Sequence, residues 1–169
     1  MNIVLCGFMG CGKTTVGQIL AEKLSMKFVD VDDLIEQEQE MTISEIFEKY
    51  GEIGFRKIEN ETIKKVSQWN NAIVSTGGGS VLNIDNVTAL KSSGKIFFLD
   101  VTADTVLARL KDNTTRPLLQ RPDKEKAVND LMNERRSKYE ACADFVITTA
   151  NESPIVCAND IIKLYKKIK

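Results

Sequence analysis

Gly7-Phe8-Met9-Gly10-Cys11-Gly12-Lys13-Thr14 meets the pattern G-x-x-x-x-G-K-[ST] at every required position. Glycines let a turn aim successive backbone N–H groups inward, and a helix starting at the end of that turn adds partial positive charge. Polyanionic phosphate is the guest such a turn suits. An ammonium at Lys13 reaches the β and γ phosphates of a nucleoside triphosphate, and a hydroxyl at Thr14 is placed to ligate magnesium. Both flanks agree with this reading. The apolar run Ile3 to Cys6 precedes the turn, and Val16, Ile19, Leu20 and Leu24 follow it at helical spacing.

Other chemistry-bearing residues stand at the ends of further apolar segments. Phe28-Val29-Asp30-Val31-Asp32 ends in carboxylates, followed by Leu34-Ile35-Glu36, which reads as a helix start. If the chain is extended there, Asp30 and Asp32 point the same way, at the sheet edge that carries the phosphate turn. Two such acids can hold Mg2+ through water and orient or deprotonate a substrate hydroxyl; the alternative is helix capping and surface charge, for which Asp33 is the better placed. Ala72-Ile73-Val74-Ser75-Thr76 runs into Gly77-Gly78-Gly79, where a ligand can approach backbone closely. The stretch from Lys111 to Asp123, rich in Thr, Asn, Pro and Arg, predicts a loop long enough to form a lid. Arg116, fixed before a proline, is its candidate for offsetting charge on a transferring phosphoryl group, while Arg121 equally suits a solvated surface. Arg135 and Arg136 both interrupt the apolar pattern of the next helix, and periodicity does not choose which one reaches the crevice.

These residues need a scaffold, and the pattern supplies one. Five short apolar or β-branched segments, Asn2 to Cys6, Lys27 to Val31, Ala72 to Ser75, Lys95 to Leu99 and Phe145 to Thr148, alternate with helical patterns. That alternation predicts an α/β fold with a parallel sheet covered on both faces. Thr42-Ile43-Ser44-Glu45 has capping-box spacing, and Ile43, Ile46, Phe47 and Tyr50 form an apolar stripe. Gly51 and Gly54 are expected to break the run before helical spacing resumes, with Phe55, Ile58, Glu59 and Thr62 on one face. An excursion this long after the second strand suggests a region for a second substrate. Further helices are expected to end near Arg109, to run from Lys124 to Ala143, and to open at Pro154 toward a basic end. Trp69 reads as packing.

The 169 residues suit one domain, and 23 basic against 24 acidic side chains give no electrostatic case for nucleic acid or an anionic membrane. Cysteines 6, 11, 142 and 157 form no C-x-x-C pair and histidine is absent, so reduced thiols in a cytoplasmic protein are expected instead of a zinc site. No stretch approaches the roughly 20 apolar residues of a membrane span, and the start MNIVLC, interrupted by Gly7 and lacking a basic region, is not expected to be an export signal.

Taken together and in order, GFMGCGKT, FVDVDDLIE, GEIGFRKIE, STGGG, TTRPLL and ERRSKYEACAD resemble the shikimate kinases along nearly the whole chain. The resemblance implies a P-loop fold like that of the nucleoside-monophosphate kinases, with a five-stranded parallel sheet of order 2-3-1-4-5, a substrate-binding region over about 32–62 and a lid over about 111–123. It implies ATP and Mg2+ as cofactors, and transfer of the γ-phosphoryl to the 3-hydroxyl of shikimate, in chorismate and aromatic amino-acid synthesis. By motif, Gly10, Cys11, Gly12, Lys13, Thr14 and Thr15 hold the nucleotide phosphates, Arg109 and Pro154 lie on the adenine side, and Thr14 and Asp30 serve the metal. Asp32 binds substrate hydroxyls and acts as base or orienting group; Arg56 and Arg135 grip the carboxylate, which favours Arg135 over Arg136. Gly77, Gly78 and Gly79 form the substrate-facing turn, Arg116 is the lid arginine, and Glu59 orients the substrate-site arginine. No nucleic-acid or membrane partner is expected, and the chain is expected to act as a monomer. Two positions depart from the family pattern. Cys11 stands where Ser or another small residue is commoner, and a thiol among so many N–H groups predicts sensitivity to oxidant. A glycine often found before the Thr42 helix is missing from EQEQEM.

Overall fold

The computed structural model describes residues 1–114 and 116–169; Thr115, within the TTRPLL segment, lies outside the described residues. Five parallel strands, β1 (Asn2–Cys6), β2 (Lys27–Asp30), β3 (Ala72–Ser75), β4 (Gly94–Asp100) and β5 (Phe145–Thr148), form one sheet in the order β2-β3-β1-β4-β5. The central strand β1 is buried along its whole length, so it reads as an unbroken apolar run instead of an alternating one. Its register sets Val4 beside Val74 of β3 and beside Ile96 of β4. Because β1 has neighbours from both later halves of the chain, the turn that leaves it opens at the point where the sheet's winding reverses.

Helices α1 (Lys13–Leu24), α2 (Val31–Gln39), α3 (Ile43–Ser67), α4 (Ile84–Ser93), α5 (Ala103–Arg109), α6 (Lys124–Cys142) and α7 (Pro154–Ile168) cover the sheet. Thr42 caps α3 with the expected reciprocal pair: the Glu45 N–H donates to the Thr42 hydroxyl at 3.2 Å, and the Thr42 N–H donates to the Glu45 carboxylate at 2.7 Å. Only one of the two glycines predicted to break this segment does so. Gly51 adopts φ 69°, ψ −179°, whereas Gly54 stays helical. Ser153 caps α7, with Pro154 in its first turn. Part of the segment expected to be a loop is instead a 3-10 turn over Pro117–Gln120, which tucks Leu119 against the core. All four cysteines are buried and free. Trp69 is half-buried against the core, with the Lys27 ammonium 4.1 Å from its ring centroid. Among the described residues no helix is long and apolar enough to cross a membrane.

The two acids after β2 do not lie on one extended strand. The strand ends at Asp30 and α2 begins at Val31, earlier than the Leu34 start that was expected, so Asp32 stands in the first helical turn and not on extended chain. Asp30, not Asp33, is the N-cap; its Oδ1 accepts from the Asp32 N–H at 3.0 Å and the Asp33 N–H at 3.5 Å. A strand that ends in Asp can hand its carboxylate directly to the next helix, and that local gain outweighs continued pairing.

At the opposite edge of the sheet, Asn2 is 1% exposed and satisfies three partners. Its Oδ1 accepts from the Ala72 N–H at 2.9 Å, and its Nδ2 donates to the Trp69 carbonyl at 2.7 Å and the Ser93 hydroxyl at 3.2 Å. This one amide joins the starts of β1 and β3 to the end of α4. Asn2→Ala leaves buried backbone groups unpaired and is expected to lower stability by about 3 kcal/mol in urea unfolding, with the nucleotide affinity of the folded protein unchanged.

Candidate active site

The phosphate turn is built from backbone that only glycine tolerates easily. Gly10 and Gly12 have φ of 74° and 99°, and a Cβ on Gly7 would fall 2.7 Å from the Leu99 carbonyl oxygen. Gly12 is the N-cap of α1 and offers no side-chain acceptor, so the first N–H groups of α1 stay available to an anion. Lys13 Nζ lies across the turn, donating to the carbonyls of Gly7 at 2.8 Å and Phe8 at 3.2 Å. Cys11, at 1% exposure, sits beneath the turn, 3.6 Å from Lys13 Nζ. Its thiol therefore has almost no path to solvent, which counts against the oxidant sensitivity expected from its position.

A cleft of about 560 Å³ opens from the turn; Gly10, Gly12, Lys13, Thr14 and Thr15 form one wall, and Asp30, Asp32, Gly77, Gly78 and Arg116 face them. A smaller cavity of about 210 Å³ adjoins it behind Gly12, lined by Cys11, Thr15, Val16, Arg109 and Pro154 among others. Arg109 divides the two. One guanidinium nitrogen donates to the Gly10 carbonyl at 3.0 Å and another to the Thr149 carbonyl at 2.9 Å, which holds the flat group over the side of the turn. Arg116 and Arg121 separate clearly. Arg121 is spent on a two-pronged pair with Asp123, both contacts at 2.9 Å, while Arg116 lines the cleft.

Asp30 and Asp32 have different surroundings and so different chemistry. Asp30 is fully engaged: besides its cap, its Oδ2 accepts from the Ser75 hydroxyl at 2.9 Å and the Thr14 hydroxyl at 3.5 Å. Asp32 keeps a buried Oδ1 with no hydrogen-bond partner. Burial, then the neighbouring Asp30 and Glu59 carboxylates, push its carboxyl up to about 6, against the opposing pull of Lys13 and Arg116. An acceptor in that condition has a strong demand for a donor. A substrate hydroxyl in the cleft can meet it. Hard oxygen donors for a magnesium ion exist at Thr14 and Asp30, and among the described residues no three His, Cys, Asp or Glu side chains converge on a metal. That sparse set fits an ion held largely by phosphates and water.

Three consecutive glycines each face one functional side chain. A Cβ on Gly77 would lie 2.9 Å from Asp32 Oδ1, one on Gly78 would lie 3.4 Å from an Arg135 nitrogen, and one on Gly79 would lie 2.6 Å from an Arg56 nitrogen. The bare turn thus lets a carboxylate from α2 and guanidinium groups from α3 and α6 crowd onto one loop. Arg56 is held by Glu59 at 2.9 Å, and Glu59, 1% exposed, also accepts from the Ser80 hydroxyl at 2.6 Å. The choice between Arg135 and Arg136 is made by Asp100 at the end of β4, which takes Arg136 at 2.8 Å and leaves Arg135 beside Gly78. The Arg135 Nε is buried without a partner.

Sequence reasoning missed several participants. The Tyr139 hydroxyl donates to the Gly78 carbonyl at 2.6 Å, and burial pushes that phenol up to about 12, so it remains a donor throughout the physiological range. Its spacing of four from Arg135 on one helix was a usable signal. Ser75, Ser80 and Thr149 carried no comparable signal, because each acts through a partner distant in the chain.

The model of the shikimate kinase family matches residues 9–166. A shikimate kinase of Caldicellulosiruptor bescii is 46% identical over 164 residues, which cover 97% of this chain and 95% of that protein. The solved shikimate kinase of Acinetobacter baumannii in complex with shikimate superposes with a TM-score of 0.93 at 36% identity, covering 99% of this chain and 94% of that one. That of Aquifex aeolicus gives 0.85 at 38% identity, with 98% and 96% covered. Proteins this similar over almost their whole length share one fold, and the chain belongs to the shikimate kinase family.

Proposed function

We propose that the chain transfers the γ-phosphoryl group of ATP to the 3-hydroxyl of shikimate, giving shikimate 3-phosphate and ADP on the route to chorismate and the aromatic amino acids. The observation that carries this reading is the meeting of one unsatisfied carboxylate oxygen, on Asp32, with two guanidinium groups at a glycine turn facing the phosphate loop. That set suits a small hydroxylated carboxylate: guanidinium pairs with carboxylate in two-pronged fashion, and Asp32 accepts from a hydroxyl. Arg56 and Arg135 take the carboxylate, and Gly77, Gly78 and Gly79 supply the wall against which the ring lies. Residues 32–62 are then the substrate-binding region and 111–123 the lid of a single domain. The protein acts as a cytoplasmic monomer and needs neither nucleic acid nor membrane.

The hydroxyl oxygen bonds to the γ-phosphorus as the bond from that phosphorus to the β–γ bridging oxygen breaks, with Asp32 aligning the hydroxyl and receiving its proton. Lys13 and the N–H groups of Gly10, Cys11, Gly12, Thr14 and Thr15 cradle the phosphates, and Arg116 offsets the charge that develops on the moving group. Arg109 and Pro154 bound the adenine side. Mg2+ carried in with the nucleotide supplies charge neutralisation at the phosphates, and Thr14 directly and Asp30 through water are the residues that would hold it.

Coupled measurement of ADP release is expected to show turnover that requires shikimate and is not supported by gluconate; an equal slow rate with and without shikimate would overturn the assignment. Asp32→Asn is expected to retain ATP binding and to lose phosphoryl transfer by about 100-fold or more, whereas Lys13→Ala loses both. Equal turnover of Asp32→Asn and the wild type at saturating shikimate would remove Asp32 from the reaction.

The raised Asp32 carboxyl makes two linked demands. With an ionised carboxylate required, kcat/KM should fall tenfold per pH unit below about 6. Stability runs the other way. The folded state holds this proton more tightly than the unfolded chain does, so Asp32 lowers stability as pH rises from 3.8 to about 6, and its full cost of about 3 kcal/mol stands above that window. Asp32→Asn should therefore melt higher than the wild type at pH 8, with the difference vanishing near pH 4.

A further inference from the structure

Behind Arg56 lies a run of buried polar groups that the reaction itself does not use. Glu59 shares its two oxygens between Arg56, at 2.9 Å, and the Ser80 hydroxyl, at 2.6 Å. The Ser80 carbonyl accepts from the Asn86 amide at 2.8 Å, and the Asn86 oxygen accepts from the Asn60 amide at 2.7 Å. Ser80 and Asn86 are fully buried, and Glu59 nearly so. The run therefore starts on α3 at Arg56 and Glu59, crosses the end of the glycine turn at Ser80, enters α4 at Asn86, and returns to α3 at Asn60.

A buried carboxylate with one strong partner on each oxygen cannot rotate about its terminal torsion. If the Ser80 donor is removed, the freed oxygen competes for the same guanidinium, and Glu59 can swing Arg56 with it. The space on the other side is equally tight, because Gly79 lies against the Arg56 nitrogens so closely that a Cβ there would sit 2.6 Å away. Arg56 is thus pinned between a bare backbone and a carboxylate whose angle is set by one hydroxyl. Ser80 is itself fixed: its N–H donates to the Gly77 carbonyl at 3.2 Å, and its own carbonyl is taken by Asn86.

We propose that Ser80 is a positioning residue for substrate specificity, holding Glu59 so that the Arg56 guanidinium presents its fork to the substrate carboxylate, with Asn86 fixing Ser80 in turn. The inference rests on the reading of Arg56 as a carboxylate ligand.

The test compares shikimate with its carboxamide on the full-length wild type, Ser80→Ala and Ser80→Cys, with melting temperatures measured alongside. The wild type is expected to prefer the carboxylate by about ten-fold or more in kcat/KM. Ser80→Ala should raise the KM for shikimate by about ten-fold, move the KM for ATP by less than about two-fold, and leave the carboxamide KM unchanged, so that the preference collapses. Ser80→Cys keeps the side-chain volume with a weaker donor, and should melt near the wild type yet lose part of the preference. A loss of melting temperature with the preference intact, or an equal weakening toward both acceptors, would overturn the role of Ser80. Absence of any preference in the wild type would instead remove the carboxylate reading of Arg56, and the inference with it.

Discussion

Close approach of charged side chains to bare backbone at Gly77-Gly78-Gly79 is the constraint on which the site depends. An added Cβ would crowd Asp32 at Gly77, at 2.9 Å, and Arg56 at Gly79, at 2.6 Å, and at Gly78 would come into van der Waals contact with Arg135 at 3.4 Å. The turn follows β3, which lies beside β1 in register, so the glycines and the phosphate loop leave the sheet as neighbours. Sheet pairing sets the distance between the two halves of the site. The glycines set how closely the charged groups of one half can converge.

Around that turn the charges are sorted by what their second partners leave free. Asp30 has every lone pair spoken for and serves as a structural acid, whereas Asp32, two residues on, is left with an unmet acceptor in a partly dry place. Arg121 is retired by Asp123, which leaves Arg116 to the cleft, and Arg136 by Asp100, which leaves Arg135 beside Gly78. Ionic groups kept in poor solvent cost stability, and the raised Asp32 carboxyl is the local measure of that cost. With the role proposed for Asp32, activity and fold pull in opposite directions at this one residue.

Much of this was legible beforehand, and what was not has identifiable causes. The phosphate loop, the five strands and the capping box at Thr42 are local patterns, in which neighbouring residues decide the outcome, and the resemblance to the shikimate kinases supplied the order of the strands. The acids after β2 misled because strand and helix compete for the same five residues; the cap formed by Asp30 starts α2 early and turns Asp32 through a helical and not an extended angle. Arg135 and Arg136 could not be told apart by periodicity because the deciding partner, Asp100, belongs to a different strand. Gly54 read like Gly51, yet helix geometry accommodates one of them and not the other. Ser80 left no trace in the sequence, as its value lies in a carboxylate 21 residues earlier in the chain.

The strand β1 carries a further consequence. Its five residues have Asn2, the amide that locks the lower rim of the sheet, at one end, and the entry to the phosphate loop at the other. At about 3.3 Å per residue the two lie about 16 Å apart, with only fully buried apolar side chains between them. The molecule is therefore zoned: one rim holds it together and the opposite rim does its chemistry. Substitutions that stiffen the Asn2 rim can accumulate without reaching the cleft, which gives such a chain room to adapt to a hotter or harsher setting while its catalytic rim stays as it is.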